Sequence, residues 1–442
     1  MEHTYAYLNN VWKNLKQENS KNPSFIFIIL VLCSNPLGYA LNSISIALLL
    51  FVSLLSFKRR NFKIEKNLLF PVFLFFLMVI SLFWTIDFNS SIRSLSKGLP
   101  LIIIPLSFFL FPTLNTFQKN KIIQWYSYSI VIFTIFCLIK ATIRFLFTHN
   151  STVFFYHELV TEDVNAIHVS VFVALALSYF VTKSLKTSLD KIALVLLLIF
   201  LILLSSKNII IVFFILIIFY YWRHFKAVKK YNLLLAIAFI ILISILFFTG
   251  KISNRFVAEY QSNVAEKVLK TEDGKANAAD DIYYVNVKQA WTQDQFQPNN
   301  YFSGTALRIY QARIFKEMLQ EDPIFFTGYG LNATDEKIKQ KRIEHNLYSG
   351  YDNFNFHNEY IQIFAEVGVF GLLLILIMLF ISILNAIKTK DFVQISFAVL
   401  MISLFLTESF LSRQRGIIFF TIMYCIFNSG IEINTPKNIG KL

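Results

Sequence analysis

Apolar residues in this chain run on for about the thickness of a bilayer, stop at a short polar interval, and run on again. A membrane-spanning helix needs about 20 mostly apolar residues. On that measure the runs place spans at 24–40, 41–57, 68–86, 98–112, 122–147, 165–182, 190–205, 208–222, 232–249, 361–386, 391–411 and 415–429. The first two are short because Asn35-Pro36 interrupts them. The pattern predicts an all-α integral membrane protein with about twelve spans. One interval is unlike the rest: residues 250–360 are polar. It divides the chain into a nine-span bundle (1–249), a long loop (250–360), three further spans (361–429) and a tail (430–442).

Within the loop the period changes. Residues 305–321 carry apolar side chains at helical spacing, which predicts an amphipathic helix. Asp322-Pro323 ends it, since the residue before proline is pushed out of the helical region. Thr327-Gly328-Tyr329-Gly330 reads as a turn, and 333–345 as another short helix. Residues 261–282 are polar, with Gly274–Asp281 flexible. The loop is expected to cap the membrane bundle.

Charge fixes the expected orientation. Cytoplasmic loops are rich in Lys and Arg. Lys13, Lys16 and Lys21 precede the first span; Lys58-Arg59-Arg60, Lys63 and Lys66 follow the second. Lys119 and Lys121, then Lys183, Lys186 and Lys191, then Arg223, Lys226, Lys229 and Lys230, and finally Lys388 and Lys390 fall at every second connection. That side is therefore read as cytoplasmic, with both termini inside. The intervals 87–97, 148–164, 205–208, 250–360 and 412–415 face outward. The net charge of +14 is thus a topology signal, not a nucleic-acid footprint. No small-residue cleavage site follows the first apolar run, so it reads as an uncleaved helix. Cys33, Cys137 and Cys425 lie in or beside apolar runs and read as packing, not as disulfides or metal ligands. Hydrophobic residues make up 56% of the chain, above the usual range for soluble domains, and the excess sits in the runs.

Ionisable groups at the outer boundary are the candidates for chemistry. They are Lys207 in Ser205-Ser206-Lys207-Asn208, Arg308 and Arg313 on the loop helix, His357 at the mouth of the tenth span, and Glu408, Arg413 and Arg415 near the end of the eleventh. Lys140, Arg144, Asp163 and His168 lie near the same face. Each has an ordinary reading as a snorkelling cation, a solvated helix face or an interfacial histidine. Arg413 and Arg415 run against the charge bias and suggest an anionic partner, with Glu408 as an internal one. Taken together, the cations could hold a diphosphate beside a histidine base, since guanidinium donates in a fork and imidazole titrates near neutrality.

Arg308, the segment Pro323-Ile324-Phe325-Phe326-Thr327-Gly328-Tyr329-Gly330, and the stretch from Phe356-His357-Asn358-Glu359-Tyr360 through Glu366-Val367-Gly368-Val369-Phe370-Gly371 occur in that order in the loop before the tenth span. In motifs, order and topology the chain resembles the O-antigen ligase and polymerase family. The resemblance implies a metal-independent, inverting membrane glycosyltransferase with no cofactor, acting at the outer face of the cytoplasmic membrane. The implied donor is a glycan on undecaprenyl diphosphate, and the acceptor a sugar hydroxyl on lipid A-core or another glycan. It assigns the base to His357, with Asn358 beside it, and diphosphate binding to Arg308 and position 207. Lys207 departs from the arginine usual there; Arg413 or Arg415 would compensate. His345-Asn346 is a second His-Asn pair and the fallback for the base. The bundle would hold the polyprenyl tail, and Tyr301, Tyr310, Phe326, Tyr348 and Tyr351 would offer faces to sugars. A repeat-unit polymerase of the same family is the nearest alternative. A transporter or lipid flippase is the second, weakened because the charges gather at one face instead of the midplane.

Overall fold

The computed structural model describes residues 2–58, 62–160, 164–224, 268–269, 282–351 and 354–430. The span expected at 232–249, most of 250–281, the tail beyond Gly430, and Arg59, Arg60, Asp163, Lys226, Lys229 and Lys230 lie outside the described residues.

The described chain is mostly helical. Helices α1 (Glu2–Lys21), α2 (Phe25–Ser34), α3 (Tyr39–Leu55), α4 (Leu69–Ile80), α5 (Phe88–Gly98), α6 (Pro100–Leu110), α7 (Thr116–Thr148), α8 (Tyr156–Leu159), α9 (Ala166–Thr182), α10 (Ser188–Leu203) and α11 (Lys207–His224) precede the long loop. The loop contributes β1 (Val268–Leu269), β2 (Ile282–Val285), α12 (Val287–Thr292), β3 (Asn300–Phe302), α13 (Gly304–Glu321) and α14 (Asp335–Glu344). Then come α15 (Glu359–Thr389), α16 (Phe392–Phe405) and α17 (Gln414–Asn428). Lys66–Phe83, Phe88–Leu110, Thr116–Thr148 and Glu359–Thr389 are long and apolar enough to cross a membrane; Phe25–Ser34, Tyr39–Leu55, Ala166–Thr182 and Phe392–Phe405 are apolar but shorter.

Helix starts follow local chemistry. Asn115 and Gln118 form a reciprocal capping box at α7, and Thr187 and Asp190 form one at α10. The Asp391 carboxylate caps α16 through Val393 N (2.8 Å). The outward interval expected at 87–97 is helical: Asp87 accepts from Ser90 N (3.0 Å) and opens α5, which leads into α6 at Pro100. Helix α1 was not legible as a span because its sequence is polar; it is a helix all the same.

Burial sorts the helices. Helices α9 and α17 are buried almost all round, as uniformly apolar helices inside a bundle must be. Helix α9 packs on α7, α10 and α16, and α17 on α6 and α15. Helix α7 turns Ile132, Phe136 and Ile139 outward, and α15 turns Phe370, Leu376 and Phe380 outward. Such apolar belts suit acyl chains, not water.

The loop has a core of its own, built from Phe296, Phe302, Tyr310, Ile314, Phe315 and Phe356, and this core reaches Ala365 of α15. Strand β2 pairs antiparallel with β1 and parallel with β3. The expected helix over 305–321 is α13, and Asp322 is its C-cap. The expected helix over 333–345 is α14.

Candidate functional site

The site is assembled on a break in α15. Val367 (φ −128°, ψ 17°) and Gly368 (φ 73°) leave helical geometry inside an apolar run. The carbonyls of Ala365 and Glu366 accept instead from Tyr329 N and Gly330 N (both 2.8 Å), and Val369 N donates to Phe325 O (2.9 Å). The turn at 327–330 thus supplies hydrogen bonds that the broken helix lacks. A Cβ on Gly368 would lie 2.1 Å from Phe326 O, and one on Gly328 2.4 Å from the Glu366 backbone. Both glycines have positive φ, so glycine serves twice at each position. The far side of the turn is held by Trp84 Nε1 on Thr327 O (2.8 Å), Ile86 N on Tyr329 O (3.0 Å) and Ser91 Oγ on Leu331 O (2.6 Å). The two halves of the sequence motif are therefore one wedge between α15 and the α4–α5 connection.

His357 stands just before α15, in left-handed geometry (φ 46°), with its N–H on Asn355 Oδ1 (3.0 Å). The preceding backbone is fixed from within the loop: buried Arg342 donates to Phe354 O, and buried Gln311 donates to Asn355 O. Asn358 caps α15 by accepting from Ile361 N (3.1 Å) and donates to Leu406 O (3.3 Å). These bonds bring His357 to the end of α16. There its Nδ1 faces Glu408 Oε2 at 3.6 Å. That is ion-pair range but longer than a hydrogen bond. Nδ1 has no hydrogen-bond partner among the described residues. The Glu408 side chain is 9% exposed and the imidazole 26%, so the carboxylate is screened while the ring keeps a face open.

Arg308 shares this corner, and Lys207 lies on a neighbouring helix start. Arg308 on α13 donates through Nε to Thr407 O (2.9 Å) and through a terminal nitrogen to Gly304 O (2.8 Å), and its charge is felt at Glu408. Lys207 opens α11 next to Asn208, which donates to Ser403 O and Thr407 Oγ1 (both 2.8 Å). Arg308, His357, Asn358 and Glu408 thus converge on the end of α16, and Asn208, the neighbour of Lys207, is bonded to the same segment. Arg415 is elsewhere: it is buried, donates to Leu37 O and stacks on Tyr39 at 4.2 Å. Arg413 is exposed at the start of α17, with no side-chain hydrogen bond or ion pair among the described residues. Glu408, expected to partner that arginine pair, faces His357 instead. Arg144 pairs with Glu158, and His168 packs at a tilt against Phe410, ring centroids 4.5 Å apart.

His345 lies deep in the loop. Its Nδ1 meets Tyr310 Oη (3.1 Å) and its Nε2 meets Glu317 Oε2 (3.3 Å). Burial holds its pKa below the usual histidine value, with Glu317 opposing. Around it Arg313 bonds Glu317 (2.8 Å) and Asp294 (2.7 Å), and Lys341 bonds Glu344 (2.8 Å) and Glu321. Arg313 is thus a structural cation of the loop.

Sequence reasoning missed a polar face under the site. Glu359 Oε2 accepts from Leu411 N (2.7 Å), Gln362 Nε2 donates to Glu366 Oε1 (2.6 Å), and Ser409 Oγ lies 3.5 Å from Gln362 Oε1. Positions 359, 362 and 366 share one helical face, and that spacing was the available signal. The face ties α15 to the turn that follows Glu408.

Residues 192–376 match the family model described as O-antigen ligase. The match takes in Lys207, Arg308, the wedge, His357 and Asn358, and ends before Glu408. No curated protein matches the chain.

Proposed function

We propose that this chain, which carries an O-antigen ligase domain, transfers a glycan from undecaprenyl diphosphate to a sugar hydroxyl at the outer face of the cytoplasmic membrane. The observation that supports the reading is the meeting of an open-faced imidazole, a buried carboxylate and the Arg308 guanidinium at one end of the bundle.

Arg308 and Lys207 hold the donor diphosphate; arginine offers a fork and lysine a point charge. Arg413 is close enough in sequence to the same turn to add charge, whereas Arg415 is occupied with the α2–α3 turn. With Nδ1 of His357 turned to Glu408, Nε2 is left for the acceptor. It takes the hydroxyl proton as the acceptor oxygen attacks the anomeric carbon. The bond from that carbon to the diphosphate breaks on the opposite face, and undecaprenyl diphosphate leaves with the electron pair. One displacement inverts the anomeric centre. Glu408 stabilises the imidazolium that forms, and the cations stabilise the charge on the leaving group. A diphosphate leaves without strong protonation, so a second acid is not required.

The test is a lipopolysaccharide gel from a deletion strain carrying wild-type protein or His357→Ala at matched protein level. Wild type restores a ladder, whereas the variant leaves bare lipid A-core and accumulates lipid-linked polymer. Core plus one repeat in the deletion strain would instead mark a polymerase. A full ladder from His357→Ala would overturn the assignment of the base. No change in any surface glycan on deletion would restore the transporter reading.

A further inference from the structure

A cavity among the described residues lies at the other end of the bundle from His357. Its volume is about 430 Å³, and it opens between the start of α7, the end of α9 and the start of α16. Helix α16 fixes the geometry: its last turn meets Asn358 and Tyr360 through Leu406 O and Ile402 O, while Asp391 and Val393 at its first turn line this cavity. Nothing in the transfer chemistry uses it.

We infer that this cavity binds a phosphate group, carried on a phospholipid or free in solution, between the ammonium groups of Lys121 and Lys183. Both line the cavity. An ammonium has three donors. Lys121 spends one on Gln124 Oε1 (3.0 Å). Lys183 spends two, on Asp190 Oδ2 (2.7 Å) and Tyr128 Oη (3.3 Å). Among the described residues, three donors therefore remain for an anion. Asp391 is the one carboxylate among the lining residues; its Oδ1 is held at the helix start by Val393 N (2.8 Å) and Gln394 N (3.4 Å). Phe117 and Val393 add apolar wall beside the charges. A site with cations at its polar end and rings at its apolar edge suits an amphiphile at a bilayer boundary. The inference stands independently of the transferase reading.

The test titrates the purified full-length protein with phosphatidylglycerol, phosphatidylcholine and inorganic phosphate by native mass spectrometry. Lys121→Glu is compared with Lys388→Glu, a lysine of the same face that does not line the cavity. One tightly bound phosphatidylglycerol is expected, weakened about tenfold by Lys121→Glu and left unchanged by Lys388→Glu. Stronger binding of the lipid than of inorganic phosphate identifies a lipid site. Equal binding, with lipid displaced by phosphate, identifies a free-phosphate site. If wild type and Lys121→Glu bind both ligands alike, the inference is wrong. Asn120→Asp, which adds a carboxylate at the lining without removing a lysine, should weaken binding in the same direction and guards against misfolding of the first variant.

Discussion

His345 and His357 are each followed by asparagine in the same polar loop, and the fold puts them to opposite uses. His345 is enclosed in the loop core, with both ring nitrogens facing fixed partners, Tyr310 and Glu317. His357 keeps a quarter of its side chain open, has one nitrogen turned to a screened carboxylate and the other without a hydrogen bond among the described residues, and stands near Arg308. A ring with both nitrogens engaged can stabilise a fold but has no site left for a substrate proton. The difference lies in the surroundings each histidine is delivered to, not in the dipeptide.

The largest effect should come from the open histidine. His357→Ala is expected to lower transfer by about 10²- to 10⁴-fold with unchanged protein level, read from the lipopolysaccharide ladder. His345→Ala at matched folded protein should leave transfer within about threefold of wild type; a loss as deep as that of His357→Ala would dissolve the contrast. Arg308→Ala should cost about 10²-fold, and Arg308→Lys about tenfold, because charge is restored without the fork. Equal loss in both would mean that Arg308 acts by holding Thr407 and not by charge.

Next comes the wedge. Gly368→Ala places a methyl against Phe326 O at a positive φ, and should destabilise by about 1–3 kcal/mol. Thermal melting of purified protein would register it, and Gly38→Ala, where nothing lies within 4 Å, serves as the control.

The smallest effect is a pH dependence of the loop. Burial lowers the pKa of His345, so on acidification the unfolded chain takes up the proton first. Stability from this group is complete above about pH 6.5 and falls as the pH drops below it. Asp322 and Glu344, held below the usual carboxylate range by Lys337 and Lys341, lose their contribution only at lower pH. Protection factors of α13 and α14, corrected for the intrinsic exchange rate at each pH, should therefore fall between pH 7 and 5 in wild type and stay flat in His345→Gln. An unchanged slope in that variant would assign the effect to another group.

The apolar runs made most helices legible, because burial in lipid demands length and uniformity that single positions cannot disguise. Asn35-Pro36 announced its break, and 305–321 announced α13, since backbone chemistry and local period act within a few residues. The break at Val367-Gly368 was hidden inside an apolar run, because the bonds that replace its lost ones come from the distant turn at Tyr329 and Gly330. Glu408 was visible as an odd acid beside arginines, yet its facing histidine depends on how α15 and α16 close. The occupation of Arg415 by Leu37 and Tyr39 was equally a matter of long-range packing. Sequence marks which groups are expensive to place; distance along the chain conceals what they are placed against.

The broken helix has a mechanical consequence. Membranes of different thickness change the tilt of a spanning segment. In α15 the long part beyond Gly368 turns Phe370, Leu376 and Phe380 outward, while Glu359–Glu366 is fastened to Leu411 and to the wedge. A shaft that leaned at the joint 367–368 would leave the 359–366 stub in its bearing, and with it His357, just before the stub, in place against Glu408.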